Sequence, residues 1–210
     1  MEYGAASAVA RWTAQGKVIS YVLVTDGEAG IATMAPDAVA PLRREEQRDS
    51  CAVVGVDGLQ FLGRPDGLVT VDLELRADLA EVVRRHRPEV VLASNFRDTW
   101  GGPSWNHADH RAVGTALLDA VRDAANPWLF TDRGEAWDGV RLVAFAGSPR
   151  STHAVDVTDT LAIGIASLEC HRTYLDHLGV DADAVLRDAA RATGPRLGVE
   201  LAVPFEVITP

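Results

Sequence analysis

Apolar and polar positions follow two rhythms along this chain. Short β-rich apolar runs at 17–24, 59–62, 90–93, 140–145 and 199–207 predict strands, the first of them buried. Between them, apolar residues recur with helical spacing. This predicts helices over 2–15, about 41–54, 72–86, 107–124, 158–177 and 181–192, with Gly16 and Gly55 as stop signals. Strands alternating with helices predict an α/β fold, a Rossmann-like, mostly parallel sheet with helices on both faces. The last strand is expected at an edge. In such sheets, sites form in the loops after the carboxyl ends of strands. Three polar loops meet that condition: 25–30, 63–67 and 95–110.

Size and composition narrow the picture. The chain has 210 residues, 47% of them hydrophobic, which suits one domain over 1–210 with a sizeable core. Thirty acidic against 20 basic residues give a net charge of −10, which repels phosphate backbones and argues against nucleic acid as a partner. No apolar run reaches the length of a membrane span, and no signal-peptide pattern opens the chain. Cys51 and Cys170 read as reduced thiols of a cytoplasmic protein. Homo-oligomerisation is left open.

The densest chemistry lies in Asn106-His107-Ala108-Asp109-His110-Arg111, after the loop Trp100-Gly101-Gly102-Pro103-Ser104-Trp105. Two histidines three apart on a helical turn can point at one spot, and a carboxylate between them suits a metal ligand beside a second titratable group. Two surface histidines near a helix start are the plain alternative. Trp100 and Trp105 suit sugar stacking and loop anchoring equally. Asn106 receives no role. His171, in Glu169-Cys170-His171-Arg172-Thr173-Tyr174, is a further candidate.

Six segments in order resemble the PIG-L/LmbE family of zinc-dependent N-deacetylases. They are Glu2-Tyr3-Gly4-Ala5 followed by Gly16-Lys17-Val18; Thr25-Asp26-Gly27-Glu28 with Gly30; Arg43-Arg44-Glu45-Glu46 with Val54-Gly55-Val56; Phe61-Leu62-Gly63 with Asp66-Gly67; Arg87-Pro88-Glu89-Val90-Val91; and His107-Ala108-Asp109-His110, where the family has His-Pro-Asp-His. The resemblance implies metal-assisted hydrolysis of an N-acyl, typically N-acetyl, group on an aminosugar or glycoconjugate, with zinc or another divalent ion as cofactor. It implies His110 as a metal ligand, His107 as the oxyanion-stabilising or amine-protonating group, and Asp109 as the carboxylate that tunes a histidine. Arg43, Asp66, Asp26, Glu28 and His171 would bind substrate.

The chain departs from the family in one respect. The family's His-Pro-Asp-Asp motif precedes the Glu-Tyr-Gly stretch, and it supplies two zinc ligands and the general base. Here Met1 stands at that junction and the motif is absent. The strand before it, the first central strand of the fold, is missing too. Losing about five large apolar residues at ~1.5–3 kcal/mol each would remove about 10 kcal/mol and expose strand edges. Two expectations follow. Either the polypeptide begins upstream and is an active deacetylase, or the chain is a catalytically inactive relative that binds a sugar or a partner. A nucleotide-binding Rossmann protein fits poorly, because no Gly-x-Gly-x-x-Gly follows a strand.

Overall fold

The computed structural model describes residues 2–210; Met1, at the junction noted above, lies outside them. The elements run α1 (Ala6–Ala14), β1 (Ser20–Leu23), α2 (Pro36–Val53), β2 (Gly58–Phe61), α3 (Leu73–His86), β3 (Val90–Ser94), α4 (Ala108–Ala125), β4 (Leu142–Ala146), β5 (His153–Asp156), α5 (Leu161–Glu169), α6 (Arg172–Leu178), α7 (Ala182–Leu197) and β6 (Ala202–Ile208). The α/β class is as expected. The chain divides into two compact units, one of residues 1–67 with 154–204 and the other of 68–153 with 205–210. Among the described residues, no helix is long and apolar enough to cross a membrane.

In the first unit, β1 and β2 pair in parallel from Ser20↔Gly58 to Leu23↔Phe61. The ladder continues through Leu62 N–H to Leu23 O and Arg64 N–H to Val24 O. This brings the turn 25–30 and the loop 63–67 to one end of the strand pair. Helix α1 buries Ala6, Ser7, Ala8, Val9 and Ala10 and packs on α5. The helices approach so closely that a Cβ at Gly164 would fall 2.0 Å from Ser7 Oγ and 2.6 Å from Ser7 N. Only glycine allows that contact.

In the second unit, β3 and β4 pair in parallel from Val90↔Leu142 to Ser94↔Ala146, and β4 pairs antiparallel with the end of β6. Helix α3 packs on α4. Asp72 starts α3 by accepting the Leu75 N–H at 2.7 Å. A Cβ at Gly114 of α4 would lie 2.2 Å from Phe96 Cβ, so this helix also needs a glycine where it packs.

Several element-level expectations are corrected. The first helix starts at Ala6 rather than residue 2. Strand β1 is shorter than 17–24, and Tyr21 is its one buried residue, while Val18 is 97% exposed. Among the described residues β1 pairs with β2 alone, so much of the strand is left half-buried. The helix expected from 41 starts at Pro36, which occupies the first helical position where its missing N–H costs nothing; Pro41 then sits inside the helix. The segment 158–177 is two helices, because His171 leaves helical geometry at φ −82°, ψ 52°. Helix α7 runs through Pro195 to a left-handed Gly198. The last strand is not an edge: the sheet order is β3-β4-β6-β5. Its apolar residues Ala202, Val203 and Phe205 are buried, which suits an interior strand.

Candidate active-site residues

Both histidines of the central motif stand at the start of α4, and the loop before it is built by two buried asparagines. Asn95 donates from Nδ2 to Thr99 O at 2.9 Å and accepts the Arg97 N–H at 2.9 Å. Asn106 donates from Nδ2 to Asn95 O at 2.7 Å and to Arg97 O at 2.9 Å. A Thr99↔Trp105 bridge closes the loop. With both amide hydrogens of Asn106 committed to carbonyls, its Oδ1 is left as an acceptor. It takes the His107 N–H at 2.8 Å and lies 3.0 Å from His110 Nδ1. His110 Nδ1 must therefore carry the proton, which makes Nε2 its lone-pair nitrogen.

His107 has the opposite arrangement. It is the N-cap of α4, and its Nδ1 accepts the Asp109 N–H at 3.2 Å. An accepting Nδ1 places the ring proton on Nε2. Two histidines on one turn thus present different chemistry, a donor at His107 and a lone pair at His110, with ring centroids 5.7 Å apart. Asp109 is buried, and its Oδ1 accepts the Val69 N–H at 3.1 Å. Asp109 Oδ1 lies 4.0 Å from His107 Nδ1, beyond hydrogen-bond distance. Trp100 meets His110 edge-on at 5.7 Å.

The remaining candidates lie in the first unit. Asp66 accepts from Thr25 Oγ1 and from the Ala29 N–H, each at 3.0 Å, and its own N–H donates to Glu28 Oε1 at 2.8 Å. These carboxylates lock the turn to the neighbouring loop. Asp26 holds Arg44 at 2.6 Å. Arg43 donates to Glu46 at 2.6 Å and to His171 Nδ1 at 3.0 Å, with its guanidinium 4.5 Å from the Tyr174 ring centroid. Arginine only donates, so His171 Nδ1 accepts and the proton sits on Nε2. That nitrogen is buried without a hydrogen-bond partner among the described residues, and Glu2 Oε2 lies 3.7 Å away. Asp26 Oδ1, Glu28 Oε2, Arg43 Nε and Arg44 Nε are likewise buried and unpartnered.

Sequence reasoning missed Asn106, Asn95 and Glu46. Asn106 had a readable signal, a polar residue just before a helix-capping position. Glu46 was part of the Arg43-Arg44-Glu45-Glu46 segment but received no role.

The family model described as PIG-L, GlcNAc-PI de-N-acetylase, matches residues 1–121. The chain belongs to the PIG-L family. The match takes in the turn 25–30, Arg43, Asp66 and the His107–His110 motif; His171 lies beyond it. This PIG-L chain is 26% identical over 177 residues to the diacetylchitobiose deacetylase of Thermococcus kodakarensis, covering 81% of the chain and 64% of that protein. It is 30% identical over 192 residues to 1D-myo-inositol 2-acetamido-2-deoxy-alpha-D-glucopyranoside deacetylase 2 of Saccharopolyspora erythraea, covering 79% of the chain and 66% of that protein. The chain thus spans about two thirds of the length of these curated relatives. Among solved structures, N,N'-diacetylchitobiose deacetylase from Pyrococcus horikoshii superposes with a TM-score of 0.89 at 22% identity, over 99% of this chain and 79% of that one. At that identity the likeness establishes the fold alone.

Proposed function

We propose that this PIG-L protein hydrolyses the N-acetyl group of an aminosugar or aminosugar glycoconjugate, with His107, Asp109 and His110 as the reacting group. The observation that carries the reading is the opposite proton placement on the two histidines at the start of α4. Amide hydrolysis places negative charge on the carbonyl oxygen and demands a proton at the departing nitrogen. An Nε2–H on His107 can donate a hydrogen bond to that oxygen as charge develops, while the proton the departing nitrogen needs comes from the attacking water. Asp109 supplies the N–H that keeps the ring in this tautomer. Arg43, Asp66, Asp26, Glu28 and His171 are proposed to bind substrate. Supporting this are the unpartnered buried polar atoms on Asp26, Glu28, Arg43 and His171, groups that a polar ligand would complete.

The resemblance implies zinc or a similar divalent ion, and His110 Nε2 is the nitrogen we propose as a ligand. A catalytic zinc takes three protein ligands. Among the described residues no three His, Cys, Asp or Glu side chains gather as such a group. These residues do not by themselves fit the site.

The test is acetate release from N,N'-diacetylchitobiose by the purified protein, with and without added zinc, beside the variant His107→Asn. Release that falls at least a hundredfold in the variant supports the reading. Sugar binding without acetate release in any condition would replace it with a non-catalytic, sugar-binding role.

A further inference from the structure

Trp105 is 65% exposed, a large apolar ring held out in water. Its backbone is not loose. The Thr99↔Trp105 bridge and the buried Asn106 fix it on both sides. The Arg111 guanidinium lies 4.9 Å from the Trp105 ring centroid and covers one face. Arg111 in turn reaches Asp98 Oδ1 at 3.6 Å, and its Nε is buried without a hydrogen-bond partner among the described residues. Trp100, in the same loop, is differently placed. It is less exposed, at 41%, lies edge-on to His110, and fits so tightly on Gly147 that a Cβ there would come 3.0 Å from Cζ3. Trp100 anchors the loop, whereas Trp105 is presented by it.

We propose that the open face of Trp105 is a stacking platform for a pyranose ring of the substrate, with Asp98 and Arg111 beside it to pair with the ring hydroxyls. This rests on the aminosugar reading above and names a specificity-determining residue for it. A pyranose has an apolar C–H face and a polar rim of hydroxyls. It is matched by an aromatic plane flanked by a carboxylate that accepts and a guanidinium that donates. Arg111 directly follows His110 on the first turns of α4, so the platform adjoins the proposed reacting group. An exposed indole costs apolar surface in water, and a sugar face would recover it.

The experiment labels the tryptophan indoles with nitrogen-15 and titrates the protein with N,N'-diacetylchitobiose, reading indole shifts and Kd, with acetate release and KM measured in parallel. Trp105→Phe assigns the peak and keeps a smaller stacking surface. The Trp105 indole should move, while that of Trp128, 85% exposed elsewhere in the same unit, stays. Trp105→Ala should raise Kd and KM by about three- to tenfold with kcat little changed, and Trp105→Phe by about twofold or less. A stationary Trp105 peak on sugar binding, a Kd unchanged in Trp105→Ala, or no binding by the folded protein overturns the platform. Acetate release with an unaltered KM in Trp105→Ala also overturns it and leaves the deacetylase reading standing. Trp105-dependent binding without acetate release does the reverse.

Discussion

The two ends of α4 meet the same physical problem and solve it differently. A helix leaves its first N–H groups and last C=O groups without internal partners. At the C-terminal end the solution is buried and cationic. Arg84, 4% exposed, donates to the carbonyls of Asp123, Ala124, Asn126, Leu129, Phe130 and Gly134. A guanidinium has enough donors for such a task and stays charged, and positive charge suits a helix C-terminus. At the N-terminal end the cap is His107, whose side chain is 57% exposed and which is a poorer capping residue than Ser, Thr, Asp or Asn. One end spends its polar groups on stability. The other uses a weaker cap whose ring stays more than half exposed.

Arg84→Met tests the stable end and should have the largest effect. It strands several buried carbonyls, and removing one side of a buried charged network costs about 3–5 kcal/mol. For a chain of this size that is roughly 6–20 °C of melting temperature by calorimetry. A loss below about 1 kcal/mol would mean that the loop after α4 rearranges freely.

Asn106→Ala comes next. It removes the donors to Asn95 O and Arg97 O and the acceptor for both histidines, so a loss of about 2–3 kcal/mol is expected by urea unfolding. The proton on His110 would no longer be held on Nδ1. Two-dimensional NMR of the imidazole nitrogens reads this directly, and an unchanged His110 tautomer would refute the assignment.

The loop before α4 is also tied to a pH-dependent group, Glu206 of β6, through Arg97. Buried Glu206 would be raised by desolvation, but hydrogen bonds from Arg97 and Ser148, with the Arg97 charge, outweigh burial and hold its carboxyl below the usual range. Its folded pKa therefore lies below the unfolded value of about 4.3. The stability it contributes is fully present above about pH 4.3 and is lost as pH falls through the folded value. Glu206→Gln should cost about 1–2 kcal/mol at neutral pH and flatten the acid limb of the stability profile below about pH 4. An unaltered acid limb would assign that loss to other carboxylates.

The smallest stability effect, and the sharpest test of the comparison, is at His107. Replacement by Ala removes the cap and should cost about 1 kcal/mol. Replacement by Asn, a better cap, should restore stability while still lacking the Nε2–H. If His107→Asn keeps full activity, His107 is a cap and nothing more.

Much of this was legible along the chain. The start of α4 at His107, the stop at Gly16 and the extent of α3 follow from local signals. The polar loops 25–30 and 63–67 were expected to follow successive strands, and they meet through Asp66 and Glu28. What could not be read was the partner of each polar group. Arg84 lies in the basic last turn of α3 beside Arg85 and His86, and its acceptors lie about 40–50 positions away. His171 carried no sign that it would break a helix and sit buried against Arg43.

The sequence by itself determined most of the element order, the α/β class, the family motifs and the residues able to do chemistry, because caps, turns and periodicity act within a few residues; strand β5 and the break between α5 and α6 were not among them. Only the tertiary structure decided which nitrogen of each histidine holds the proton, which tryptophan is anchored and which is presented, and that β6 lies inside its sheet. Those outcomes depend on donors, acceptors and packing partners from segments far apart in sequence, and local pattern does not encode which distant group will arrive.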